Sequence, residues 1–126
     1  MRAIDTNVLV RLIARDDAAQ TRRAERFVAD GAWVSTLVLA ECLWVLESVY
    51  ARSREQLATA VSMLLEHQQL VLQDRDAVGA ALAQFQAHSG VGLTDCLVVA
   101  VAERHGHTPV GTFDKRLARL DAAQLP

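Results

Sequence analysis

The sequence predicts a three-layer α/β/α fold around a central parallel sheet of four to five strands. Three observations predict it. Short apolar runs alternate with longer helical periods along the chain, the pattern of successive β–α units. Two of these runs are closely followed by an acid, Asp5 and Asp114, as at the carboxyl edge of a parallel sheet, where such folds hold ligands. Two more acids, Glu41 and Asp95, lie early in very apolar helical segments, where an unpaired charge is unfavourable.

The elements follow in order. Residues 2–5 read as a strand and 6–14 as a helix with Val8, Leu9, Leu12 and Ile13 on one side. Ala18 to Asp30 reads as a second helix, stopped by Gly31. Trp33-Val34-Ser35 is the next strand, and Thr36 is placed as the cap of a helix reaching about Arg52. Apolar residues from Leu37 to Tyr50 surround nearly the whole circumference of that helix. Its outer side therefore needs a cover, a second subunit or another protein. Ser53 and Gln56 have capping-box spacing and open a helix to about His67. Leu70-Val71-Leu72 is a third strand, followed by a helix from about Asp74 to His88 and a Gly-bearing loop at 89–92. Thr94 is placed as the cap of the helix carrying Asp95, and Gly106 closes it. Pro109 to Thr112 is the fourth strand and Phe113 to Leu120 a short terminal helix. Residues 121–126 carry little β pattern, so the fifth strand is left open. There is no repeat or linker, and 1–126 reads as a single domain.

A chain of 126 residues buries about two-thirds of its unfolded surface. The longest apolar run, Cys96 to Ala102, is too short to span a bilayer, and Asp5 interrupts any leader-like start. A soluble, cytoplasmic protein is expected. Cys42 and Cys96 are too few for a disulfide framework and lack metal-binding spacing, so both read as small buried helix residues. The net charge of −2 argues at first against a nucleic-acid partner. Setting aside the four acids leaves 11 of the 15 against 13 bases, so the remaining surface is slightly basic.

Carboxylates are hard ligands suited to Mg²⁺ or Mn²⁺, and a few of them holding such ions is an arrangement for hydrolysing phosphodiesters. Each acid also has a plainer reading. Asp5 and Asp114 could cap the helices that follow them, and Asp95 could be an ordinary first-turn acid. Glu41 is hardest to dismiss, because Leu37, Trp44 and Val45 share its face and no base follows until Arg52. Thr6 and Thr112 stand beside the acids and could orient water or phosphate. The bases Lys115, Arg116 and Arg119, and the run Arg22, Arg23 and Arg26, are solvated faces or phosphate contacts. His105 and His107 read as helix-end residues rather than ligands. No Gly-rich nucleotide fingerprint is present.

Four segments together resemble the signatures of PIN-domain ribonucleases: Ala3 to Leu9, Ser35 to Glu41, Leu93 to Leu97, and Gly111 to Asp114. Their order and spacing span essentially the whole chain. The small size, with nothing appended, is similar to the VapC-type toxins of bacterial toxin–antitoxin pairs. The resemblance implies a parallel sheet of order 3-2-1-4-5 and an Mg²⁺ site at Asp5, Glu41, Asp95 and Asp114, with Mn²⁺ as a substitute. It implies Asn7 and Thr112 as supporting polar residues. It further implies an RNA substrate, a homodimer and a cognate antitoxin. A phosphoacceptor receiver module would need a second acid beside Asp5, where Asn7 stands, and an acceptor after the third strand, where Gln73-Asp74 stands. A PIN scaffold that only binds protein is the other alternative, against which the intact acid set argues.

Overall fold

A computed structural model describes all 126 residues. Its internal contacts gather into two units, Met1–Gln73 and Asp74–Pro126. Helices and parallel strands make up both, so the mixed α/β class holds. No helix is long and apolar enough to cross a membrane.

The first unit is built on three short parallel strands, β1 (Arg2–Ala3), β2 (Ala32–Val34) and β3 (Leu70–Leu72), in the order β1-β2-β3. Arg2 pairs with Ala32, and Trp33 with Val71. Strand periodicity sorts the side chains. Ala32, Val34, Leu70 and Leu72 are buried, whereas Trp33 and Val71 are exposed. The Ile4 amide donates to the Trp33 carbonyl at 3.1 Å, carrying the ladder to the residue before Asp5.

Four helices complete this unit: α1 (Thr6–Ala14), α2 (Ala18–Val28), α3 (Thr36–Ser48) and α4 (Arg54–Glu66). Asp17 caps α2 by accepting from the Gln20 amide at 3.0 Å. Gly31, at φ +98°, turns the chain toward β2 in the left-handed region glycine adopts freely. The cap of α3 is Ser35, which accepts from the Val38 amide, and not Thr36. The Thr36 amide and hydroxyl both donate to Gln73 Oε1 instead. α3 also stops earlier than Arg52. Ala51 takes a φ of 52°, and the Arg52 amide folds back onto the Leu46 carbonyl at 3.0 Å. The capping box of α4 is present, with Ser53 and Gln56 each bonding the other's backbone amide. Leu9, Leu39, Cys42, Leu46 and Val61 are fully buried in this unit. Complete burial of each large aliphatic side chain is worth about 1.5–3 kcal/mol.

In the second unit α5 (Arg75–Ala87) and α6 (Leu93–Arg104) form the most extensive helix pairing in the chain. Ala77, Val78, Ala81 and Phe85 of α5 are buried, as are Leu93, Cys96, Leu97 and Val99 of α6. Gly92 occupies the cap position of α6, so Thr94 is the second helical residue and not the cap. Asp74, at the start of α5, has a left-handed backbone (φ 50°) and makes no side-chain cap bond. Its carboxylate instead meets His105 Nε2, at the end of α6, at 2.9 Å.

The fifth strand does form. β4 (Val110–Gly111) pairs in parallel with β5 (Ala123–Gln124), through Val110 N to Ala122 O and Thr112 N to Gln124 O. Five strands are present, hydrogen-bonded as a ladder of three in the first unit and a ladder of two in the second. β4 is confined to two residues. Pro109 before it has no amide to donate, and the chain turns immediately after Thr112. The expected helix from Phe113 to Leu120 shrinks to one 3₁₀ turn, Leu117–Arg119. Asp114 caps its start by taking the amides of Arg116 and Leu117, and the turn ends where Leu120 takes up extended backbone.

Candidate active site

In the first unit the site starts where β1 gives way to α1. Asp5 is the N-cap of α1, with Oδ1 accepting from the Val8 amide at 3.1 Å. Capping and ligation are therefore compatible, because one oxygen serves the helix and the other is left for a ligand. Asp5 is exposed. Thr6 follows as the first helical residue, and its hydroxyl donates to Glu41 Oε2 at 2.8 Å. That bond ties the start of α1 to the second turn of α3, two helices packed against each other.

Glu41 lies on the solvent stripe of α3 with Leu37 and Trp44, which are 68% and 66% exposed. The opposite face, Leu39, Cys42, Leu43 and Leu46, is buried. The all-round apolar pattern thus leaves a hydrophobic outer stripe with one carboxylate in it. Cys42 points into the core, and burial pushes its thiol up to about 12. It is no nucleophile. Asn7 is exposed, and its side chain makes no hydrogen bond.

In the second unit Asp95 is the third residue of α6 and half-buried. A helix N-terminus favours a negative charge, yet the Asp95 carboxyl is held above its ordinary range. Burial is the main cause and the charge of Asp114 the second. Desolvation and like charge both favour the neutral form. Asp114 Oδ1 accepts from Arg116 N at 2.8 Å and Leu117 N at 3.2 Å, while Thr112 Oγ1 accepts from the Asp114 amide at 3.0 Å. Thr112 therefore supports the turn that presents Asp114. Lys115, Arg116 and Arg119 are exposed around it. The Arg116 side chain lies against Gly90, where a Cβ would sit 3.2 Å from its Cδ.

The donor set can be judged against a cation. Each unit offers two carboxylates with at least one oxygen uncommitted to a hydrogen bond. Asp95 and Asp114 repel each other, a tension a divalent cation relieves. Within neither unit do three or more His, Cys, Asp or Glu side chains gather into a metal cage. The residues fit a hard cation in chemistry.

Sequence reading missed two polar networks. Arg11 Nη1 donates to Tyr50 Oη and to Asp16, and the Tyr50 hydroxyl donates to Asp16. His105 and Asp74 form the other. Both link residues more than thirty positions apart, for which local pattern carries no signal.

A strand-end acid with a hydroxyl-anchored glutamate, and an acid pair at a helix N-terminus and the adjoining turn, define a carboxylate-bearing α/β protein. The PIN domain family pattern matches residues 3–123, and the chain belongs to that family. PIN domains are generally nucleases and typically use divalent metal ions. Neither the curated proteins nor the solved structures compared with the chain give a match.

Proposed function

We propose that this chain is an Mg²⁺-dependent endoribonuclease, the toxin of a toxin–antitoxin pair of the VapC type. The observation that carries the reading is the half-buried Asp95, held near a second carboxylate with no base to compensate it, in a chain that matches the PIN pattern over nearly its whole length. Asp95 forms no ion pair, and the only charge acting on it is a like one.

In this reading Asp5, Glu41, Asp95 and Asp114 hold Mg²⁺, or Mn²⁺ in its place. The bound ion supplies water activation and charge neutralisation for phosphodiester hydrolysis. Thr6 fixes the rotamer of Glu41 through their hydrogen bond. The Val8 amide fixes one oxygen of Asp5, and the Arg116 and Leu117 amides fix one oxygen of Asp114, which leaves the second oxygen of each available to a ligand. Thr112 holds the Asp114 turn. Lys115, Arg116 and Arg119 contact the RNA phosphates, and Asn7 is a further polar contact.

The exposed Leu37, Trp44 and Val49 support a covered α3. We assign that cover to a second copy of the chain, with the cognate antitoxin as the further partner of the homodimer. Charge introduced by Trp44→Glu should convert a sedimenting dimer to monomer, and a wild-type monomer at micromolar concentration would refute the assignment.

The test of activity is cleavage of total RNA with Mg²⁺ and with excess EDTA, followed by analysis of the new ends. The expected ends are 5′-phosphate and 3′-hydroxyl, with activity lost in EDTA. Ends bearing 2′,3′-cyclic phosphate, or full activity in EDTA, would overturn the mechanism.

A further inference from the structure

The α2 helix carries a feature that catalysis does not use. At about 100° per residue, Arg22, Arg23 and Arg26 fall within one arc of roughly 100°, and all three are exposed. None forms an ion pair. The nearest helical acid, Glu25, is engaged by Arg15 at 2.7 Å, and the remaining pairs are Arg11 with Asp16 and His105 with Asp74. Asp30, just beyond the helix, forms none either. Arg22 with Arg26 and Arg23 with Arg26 are like-charge neighbours at helical spacing, an arrangement that weakens a helix.

A fourth guanidinium joins them. Arg2 lies 3.8 Å over the Phe27 ring, and its Nη2 donates to the Phe27 carbonyl at 2.9 Å. Phe27 is one turn beyond Arg23 on the same side of α2. The ring and carbonyl hold Arg2 in place while its remaining N–H groups stay in solvent. Four of the chain's twelve arginines thus crowd one surface of a protein whose net charge is −2.

We infer that this face of α2, together with Arg2, is a docking surface for the phosphate backbone of single-stranded RNA, outside the carboxylate site. The inference rests on the ribonuclease reading for its choice of RNA. Guanidinium forks match phosphate oxygens in charge and in two-pronged geometry, and phosphates relieve the mutual repulsion that no acid of the chain relieves. The surface reads no sequence. It holds the strand, while the carboxylate site cuts.

The test is binding without turnover. Anisotropy of a labelled single-stranded RNA of about 20 nucleotides is titrated in excess EDTA between about 50 and 200 mM salt. Each phosphate contact contributes about 0.7 to the slope of log affinity against log salt. The triple variant R22Q/R23Q/R26Q should therefore flatten the slope by about 2. The wild type should lose about 20-fold more affinity than the variant across that fourfold salt range. The triple Arg→Lys variant should keep the slope. If the triple Gln variant melts abnormally, Arg23→Gln alone should lower the slope by about 0.7. An unchanged slope in the Gln variants, a wild-type slope near zero, or a Lys variant that falls with the Gln one would overturn the assignment. Binding that follows these expectations in a protein that never cleaves RNA would sink the nuclease reading and leave the surface standing.

Discussion

Thr6→Val is the sharpest probe of how the fold prepares its chemistry. Valine keeps the shape of threonine and removes the hydroxyl that donates to Glu41 Oε2 at 2.8 Å. A hydroxyl–carboxylate bond is of the stronger, charge-assisted kind. Glu41 is exposed and Thr6 half-exposed, however, so water competes for both. The net contribution then falls at the low end of the range, about 1 kcal/mol. Lost from stability, this lowers the melting temperature by several degrees for a chain of this size. Lost from the orientation of a ligand, the same energy is about fivefold in metal affinity. The assay is a double-mutant cycle of Thr6→Val and Glu41→Gln, read by Mn²⁺ binding and by thermal melts. Thr6→Ser should restore both readouts. Additive effects of the two substitutions, or a serine variant as impaired as the valine one, would refute the idea that Thr6 positions Glu41.

Three further outcomes are expected. Asp95→Asn should abolish cleavage yet leave the metal-free protein as stable or more stable, by up to about 1 kcal/mol after solvent screening, with excess Mg²⁺ reversing the order. The Asp95 carboxyl is raised by burial and by Asp114, so its contribution is full below the unfolded pKa and is lost as pH rises through the folded value. Metal-free melts against pH should show that loss in wild type and not in the variant. Asp16 is lowered, chiefly by the Tyr50 hydroxyl, so its contribution is present above the unfolded carboxylate pKa and lost as pH falls through the folded one. Tyr50→Phe should flatten the acid limb of the stability curve, and an unchanged limb would refute the role of that bond. Finally, Cys42 is buried with its thiol near 12, so a native sample at about pH 8 should resist disulfide exchange reagents at this position until it unfolds; rapid labelling would contradict the burial.

Much of the architecture was legible because it is local. The capping box at Ser53 and Gln56, the stop at Gly31 and the apolar runs of β2 and β3 are written in adjacent residues, and the structure has each of them. What was misread depends on competition between neighbours. Ser35 displaced Thr36 as a cap because its hydroxyl reaches the Val38 amide, while Thr36 finds Gln73 thirty-seven residues away. The terminal helix stays at one turn because Leu120 leaves helical backbone for the extended conformation shortly before β5. β5 was unreadable because two residues, Ala123 and Gln124, contain no alternation. Of the candidate site, position along the chain singled out the acids and Thr6 as candidates, and the structure bonds Thr6 to Glu41. The electrostatic coupling of Asp95 to Asp114 did not, since it depends on burial that spacing alone does not reveal.

The division of labour within Asp5 and Asp114 has a consequence for reading other chains. One oxygen of each is committed to backbone amides, so the fold itself asks for a capping side chain at these positions. A descendant that had abandoned chemistry would still be held to Asp, Asn, Ser or Thr there. Position 41 is under no such hold, because Glu41 accepts only from a side chain that could drift with it. An acid at 5 or 114 therefore reports on the fold, whereas under the proposed function the glutamate in mid-helix is the one that would report on activity. A survey for retired copies should look first at residue 41.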